Sequence, residues 1–87
     1  VQKINGYQVF AVIPRLYAGG LVDGYVIAAD DHRGECVTGW VRSASDTSWS
    51  NGHYFYGPDA KANRQAALLD AIKRAGVPVE VSQLTLT

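Results

Sequence analysis

The most reactive side chains of this sequence crowd into one short run, Asp30-Asp31-His32-Arg33-Gly34-Glu35-Cys36, with a second histidine at His53. A metal centre needs three or four convergent N, O or S ligands, and Asp30, Asp31, His32, Cys36 and His53 have the right chemistry. No CxxC, HxxxH or HExxH spacing accompanies them, whereas Asp, His, Arg and Gly between two apolar runs are the ingredients of a hairpin turn. The expectation is a turn, with no metal and no other cofactor. Nucleophilic catalysis asks for a cysteine or serine beside a histidine oriented by a carboxylate, so Cys36, His53 and Asp46 make a triad on paper. Nothing in their spacing brings them together, and a single small core rarely encloses a ligand pocket of roughly 300 Å³ or more. No enzymatic activity is expected. Gly19-Gly20 and Gly24 lack the spacing of a phosphate-binding loop and read as a turn.

Aromatic chemistry is the second resource. Five of the nine aromatic residues fall within residues 40–56, as Trp40, Trp49, Tyr54, Phe55 and Tyr56, with His53 among them. Tyr and Trp combine large contact area with a hydrogen-bonding tip and are enriched where a surface is covered by a partner. Trp40, Arg42, Trp49, His53, Tyr54 and Tyr56 are therefore the candidate partner-binding residues. The alternative is nucleic-acid binding through Arg15, Arg42 and Arg64, with guanidinium groups and aromatic rings gripping a single strand. Eight Lys and Arg against eight Asp and Glu, a net charge of zero, disfavour that alternative, because phosphate binders normally carry excess base.

These residues have to be positioned by short strands and one helix. Residues 7–13 (YQVFAVI) read as a strand ending at Pro14, residues 25–29 as a second, residues 35–42 as a third paired with it in a hairpin, and residues 53–56 as a fourth. Asn51-Gly52 reads as a tight turn, and residues 43–52 as a polar loop with an exposed Trp49. Strand parity sets Val37, Gly39 and Val41 against Cys36, Thr38, Trp40 and Arg42. The valine set is expected under the helix, which leaves Trp40 on an open face with Tyr54 and Tyr56. Gly57-Pro58-Asp59 opens a helix with Pro58 at its first position, ending before Gly76. Its expected buried stripe is Ala62, Gln65, Leu68, Leu69, Ile72 and Ala75, with Asn63, Arg64, Ala67, Asp70 and Arg74 in water. Residues 77–81 alternate as a last, edge strand, with Leu84 and Leu86 on the opposite parity.

The expected architecture is one α+β domain spanning residues 1–87, an antiparallel sheet of four to five strands in the order β-β-β-β-α-β with the helix on one face. Its 87 residues leave room for one core, and 47% hydrophobic residues exclude a disordered chain. The single cysteine, Cys36, forms no disulfide within the chain. Neither a signal-peptide pattern nor a membrane-spanning run is present, which points to the cytoplasm and away from membranes.

The order of three strands followed by an alanine-rich helix resembles the double-stranded-RNA-binding fold. The basic run that opens that family's last helix is reduced to Lys61 and Arg64, so RNA binding does not carry over. The same order is similar to HicB-like antitoxins, although PDAKANRQA stands where their acidic segment would be. In style the chain resembles small bacterial proteins carried on mobile elements such as integron cassettes, plasmids or phages. The function expected from all of this is noncatalytic: a small interaction protein forming a homodimer or meeting a protein partner, with a small-molecule-binding module as a further alternative.

Overall fold

The computed structural model describes residues 3–17, 21–43 and 45–76. Among these residues five strands, β1 (Lys3–Ile4), β2 (Tyr7–Tyr17), β3 (Leu21–Asp30), β4 (Cys36–Val41) and β5 (Ser50–Phe55), precede one helix, α1 (Ala60–Ala75). The strands form a single antiparallel sheet in chain order, and α1 packs against it, as expected for the α+β class. The strand expected at residues 77–81, together with Leu84 and Leu86, lies outside the described residues. Among the described residues no helix is long and apolar enough to cross a membrane.

Local chemistry explains most element boundaries. Asn5 and Gly6 both have positive φ, 52° and 84°, the geometry of a two-residue hairpin turn that Asn-Gly favours. This turn folds β1 back so that Ile4 pairs with Tyr7. Asn5-Gly6 is the local signal for this turn, which the expected strands do not include. Past this short β1, strand β2 has only β3 as a neighbour among the described residues, so Pro14 breaks no ladder and the strand continues to Tyr17. Between β3 and β4 the Asp-rich run is a turn. Asp31 Oδ1 accepts the backbone N–H of Arg33 at 2.8 Å and of Glu35 at 2.9 Å. Desolvation pushes the Asp31 carboxyl pKa upward, but the backbone donors of Arg33, Glu35 and Gly34 outweigh it and hold the group below its usual value.

Helix α1 starts at Ala60, two residues later than the expected first position at Pro58. Asp59 is its N-cap, accepting the N–H of Lys61 at 3.0 Å and of Ala62 at 3.3 Å, and Gly76 ends it in a left-handed conformation with φ 75°. Its buried side corrects the expected stripe. Asn63, Ala67, Ala71 and Ala75 face the sheet, while Leu68 and Leu69 are exposed. Alanines at four-residue spacing allow close approach of helix to sheet, and the longer leucines have no room there.

The two sheet faces are also exchanged relative to expectation. Val26 pairs with Trp40 and Ala28 with Thr38, and Val26 and Ala28 pack on Ala71 and Ala75 with Phe10, Ala11 and Ile13 alongside. The helix therefore covers the face of Cys36, Thr38 and Trp40. The opposite face is closed by the chain itself: Ile4, Val9, Ile27, Ala29, Val37 and Val41 form a second buried cluster, capped by Tyr7, Tyr25 and Trp49. The expected open face and single core are thus replaced by a sheet buried on both sides. Strand β4 is buried at five of its six positions for this reason.

Candidate functional site

Strand β4 carries Thr38 and Trp40 under the helix, and the last two turns of α1 meet them with Asp70 and Arg74. Thr38 Oγ1 donates to Asp70 Oδ2 at 2.6 Å, and the same oxygen accepts from His53 Nδ1 at 3.0 Å. Arg74 Nη1 donates to Thr38 Oγ1 at 2.9 Å and to its carbonyl at 3.1 Å, and Nη2 reaches the Asn51 carbonyl at 2.7 Å. Asp70 and Arg74, expected in water, instead bind the helix to β4 and β5. Their spacing of four residues on one helix side was the available signal, because two opposite charges so placed can grip the same strand as readily as each other.

Beside this network lies a groove of about 240 Å³ lined by Arg15, Val26, Trp40, Asn51 and Arg74. The Arg15 guanidinium carbon sits 4.6 Å from the centre of the Trp40 ring, a cation–π contact. Among the described residues the buried Trp40 indole N–H has no hydrogen-bond partner. A Cβ on Gly24 would stand 2.8 Å from that nitrogen, so the indole lies tight against the β3 backbone, where only glycine fits.

Trp49 is the corresponding aromatic of the opposite face. It is half-buried, correcting the expectation of an exposed loop residue. Two glycines on neighbouring strands, Gly39 and Gly52, make its seat: a Cβ on Gly39 would meet Trp49 at 2.5 Å and one on Gly52 would meet the indole nitrogen at 2.9 Å. Asn51-Gly52 is not a turn before the strand but part of β5, where Asn51 takes φ 53° and the register shifts between Thr38 and Trp40. That bulge brings Gly52 beneath the ring. Tyr7 closes the seat edge-on, with ring centres 5.5 Å apart at 79°.

Tyr7 also donates its phenol hydrogen to Glu35 Oε2. Chiefly because of that bond, with burial and the Glu35 charge adding, its pKa rises from 10.0 to about 12. Between these values the folded protein keeps a proton that the unfolded chain releases, so this contribution to stability is complete below pH 10 and is lost as pH rises toward about 12. A Tyr7→Phe variant is expected to show a flatter loss of stability across that window in alkaline denaturant titrations. Equal slopes for the two proteins would count against the bond.

The six residues expected to form one partner surface are divided by this arrangement. Trp40 and His53 lie on the helix face, Tyr54 on the other opposite Val37, and Tyr56 beyond the end of β5. Arg42, past the end of β4, donates its backbone N–H to Asp46 at 2.9 Å and lines a cavity with Trp40, Asp46, Ser48 and Trp49. The three arginines of the nucleic-acid alternative do not form one track either. Arg64 pairs with Asp30 and lies 3.9 Å over Phe10 at the far end of β3 from Arg15. Arg15 and Arg64 each occupy a ring face that a base would need.

The catalytic and metal candidates are similarly dispersed. Among the described residues no group of three His, Cys, Asp or Glu side chains converges to hold a metal ion. Cys36 is buried, its thiol pKa raised by desolvation and by Asp30, whereas a nucleophilic thiol needs the opposite shift. His53 is engaged by Asp70 and Asp46 by Arg42, so the paper triad has no shared geometry.

Among the described residues, large apolar side chains are exposed at Val12, Tyr54 and Tyr56 and on the outside of α1. Leu68 is 37% and Leu69 49% exposed, and Ala62, Gln65 and Ala66 beside them are open to solvent. No family model, curated protein or solved structure matches this chain.

Proposed function

We propose that the protein is a noncatalytic interaction protein that works as a homodimer, joined through the outer face of α1. The carrying observation is that the helix buries alanines and exposes leucines: Ala67, Ala71 and Ala75 are fully buried while Leu68 and Leu69 are open. A helix that served only its own core would place those residues the other way round.

A second copy suits this face. Two α1 helices packed antiparallel and centred on Ala66 would set Leu69 of each against the small Ala62 and Ala66 of the other, in the manner of a knob entering a shallow hole. The same pairing places Lys73, in the basic last turn, opposite the Asp59 cap of the other copy, and the helix dipoles oppose one another favourably. A net charge of zero adds no long-range repulsion between copies. A cytoplasmic setting belongs to the same proposal, since the one cysteine is buried and serves no disulfide in the chain.

Light scattering after size exclusion tests this. The wild type is expected at twice the monomer mass, and Leu69→Glu is expected as a monomer with an unchanged circular dichroism spectrum, because the substituted side chain is half-exposed in the single chain. A monomeric wild type at about 100 μM, a concentration that populates even a dimer of modest affinity, would overturn the proposal. So would a Leu69→Glu variant that remains dimeric.

A further inference from the structure

From the groove between α1 and the β3–β4 ladder we infer a binding site for a small oxyanion, the phosphate or carboxylate head of a small ligand, with Arg74 as its anchor. The groove holds about 240 Å³, enough for such a head group and a few attached atoms, and its described lining is Arg15, Val26, Trp40, Asn51 and Arg74, with no carboxylate. The site is separate from the outer face of α1 and does not depend on dimerisation.

Arg74 is held as a recognition residue should be. Three of its five N–H groups are committed, two to Thr38 and one to Asn51, and the helix and two strands thereby lock the guanidinium in one orientation. Its Nε–H and second Nη2–H have no acceptor among the described residues. A planar guanidinium binds an oxyanion through two such donors side by side, and a side chain already immobile loses little entropy in doing so. Thr38 and Asn51 are positioning residues here, since they aim Arg74 and do not touch the ligand.

The other walls set the size and polarity of what fits. Trp40 is held at its indole nitrogen by the tight fit against Gly24 and over its ring by Arg15 at 4.6 Å. Arg15 occupies one face of the ring, so that face is not open as a stacking platform. A flat base therefore gains little here, whereas a compact anion does. Arg15 forms the lip opposite Arg74, and Val26 makes an apolar floor for the few carbon atoms next to the head group.

The test is a two-dimensional ¹⁵N NMR titration of the intact chain with inorganic phosphate and, separately, with acetate, at ionic strength held constant with sodium chloride. The Arg74 Nε–H and Trp40 indole N–H signals are expected to move along a saturating curve in the millimolar range typical of a single head group, while the Trp49 indole signal stays in place. Saturation by either probe supports the site, and the tighter of the two identifies the head group. Arg74→Lys keeps the charge but removes the paired donors, and is expected to weaken binding at least about tenfold. Arg15→Gln, which leaves the Arg74 anchor intact, checks the lip independently and is expected to weaken binding by a smaller factor. Shifts that grow linearly up to about 50 mM, the behaviour of nonspecific screening, would overturn the inference. Equal affinity in wild type and Arg74→Lys would do the same.

Discussion

Replacing Gly39 by alanine is expected to destabilise the protein by about 2–4 kcal/mol, although alanine is the better strand residue of the two. The new methyl group would sit 2.5 Å from Cβ and Cγ of Trp49 and 2.8 Å from Cδ1. Real Cβ atoms do not approach other carbons so closely. Either the indole leaves its seat, losing contact with Tyr7 and the Val37 and Val41 cluster, or β4 and β5 move apart. Expelling a packed Trp costs about as much as truncating one, roughly 3–5 kcal/mol, and partial relaxation accounts for the lower range. In a domain of this size the melting temperature should fall by about 10–25 °C. Trp49 emission should also shift to the red, because the ring would enter water. The cause can be isolated with Trp49→Ala. In that background Gly39→Ala should cost little, because the atoms it strikes are gone, and the double-mutant cycle should show a coupling of about 2 kcal/mol. Additive effects would mean that Gly39 matters for another reason.

The second large effect is expected at Asn63, the one buried polar side chain on the sheet-facing side of α1. Its amide nitrogen donates to the Gly34 carbonyl at 2.9 Å and the Gly57 carbonyl at 2.7 Å, and its oxygen accepts the Gly57 N–H at 3.0 Å. One side chain therefore ties the β3–β4 turn, the β5–α1 connection and the first turn of the helix together. Asn63→Ala leaves three backbone groups without their partner. At about 1 kcal/mol each, eased where water reaches the exposed Gly57, the loss comes to about 2–3 kcal/mol in urea unfolding. Asn63→Asp separates hydrogen bonding from volume. It is the same size but turns two donated bonds into a carboxylate facing two carbonyls, so it should be at least as damaging as alanine. A neutral Asn63→Asp substitution would show that the site needs only bulk. Faster amide exchange at Gly57 in both variants is the local signature.

Both residues illustrate what kind of information was missing from the linear reading. Gly39 looked like one more small residue in a strand, and its importance comes from Trp49, ten positions away and carried there by the β5 bulge. Asn63 looked like part of a solvated face, since nothing local reveals that Gly34 lies above it. Trp40 stands out in the sequence for its chemistry. Its neighbours were not foreseen, because Arg15 and Arg74 reach it from β2 and from the end of α1. The proposed aromatic surface failed for the same reason. Trp40, Trp49 and Tyr54 are close in sequence, and consecutive strand positions send neighbours to opposite faces of a sheet.

The sequence by itself determined the local events: Gly76 as the C-terminal end of α1, the Asp31 turn, the strand centres and their antiparallel order, all set by interactions among residues a few positions apart. It also determined which residues of β4 share a face, through the two-residue period of the strand. Which of the two faces the helix would cover was decided only by the tertiary structure. Val37 and Val41 on one side and Cys36, Thr38 and Trp40 on the other are both apolar enough to be buried, so parity divides them without ranking them. The choice rests on how closely the helix can approach. Ala67, Ala71 and Ala75 let α1 settle against Val26 and Ala28, and that close fit turns Leu68 and Leu69 outward. The general preference of leucine for the interior gave way to the space available between one helix and one sheet.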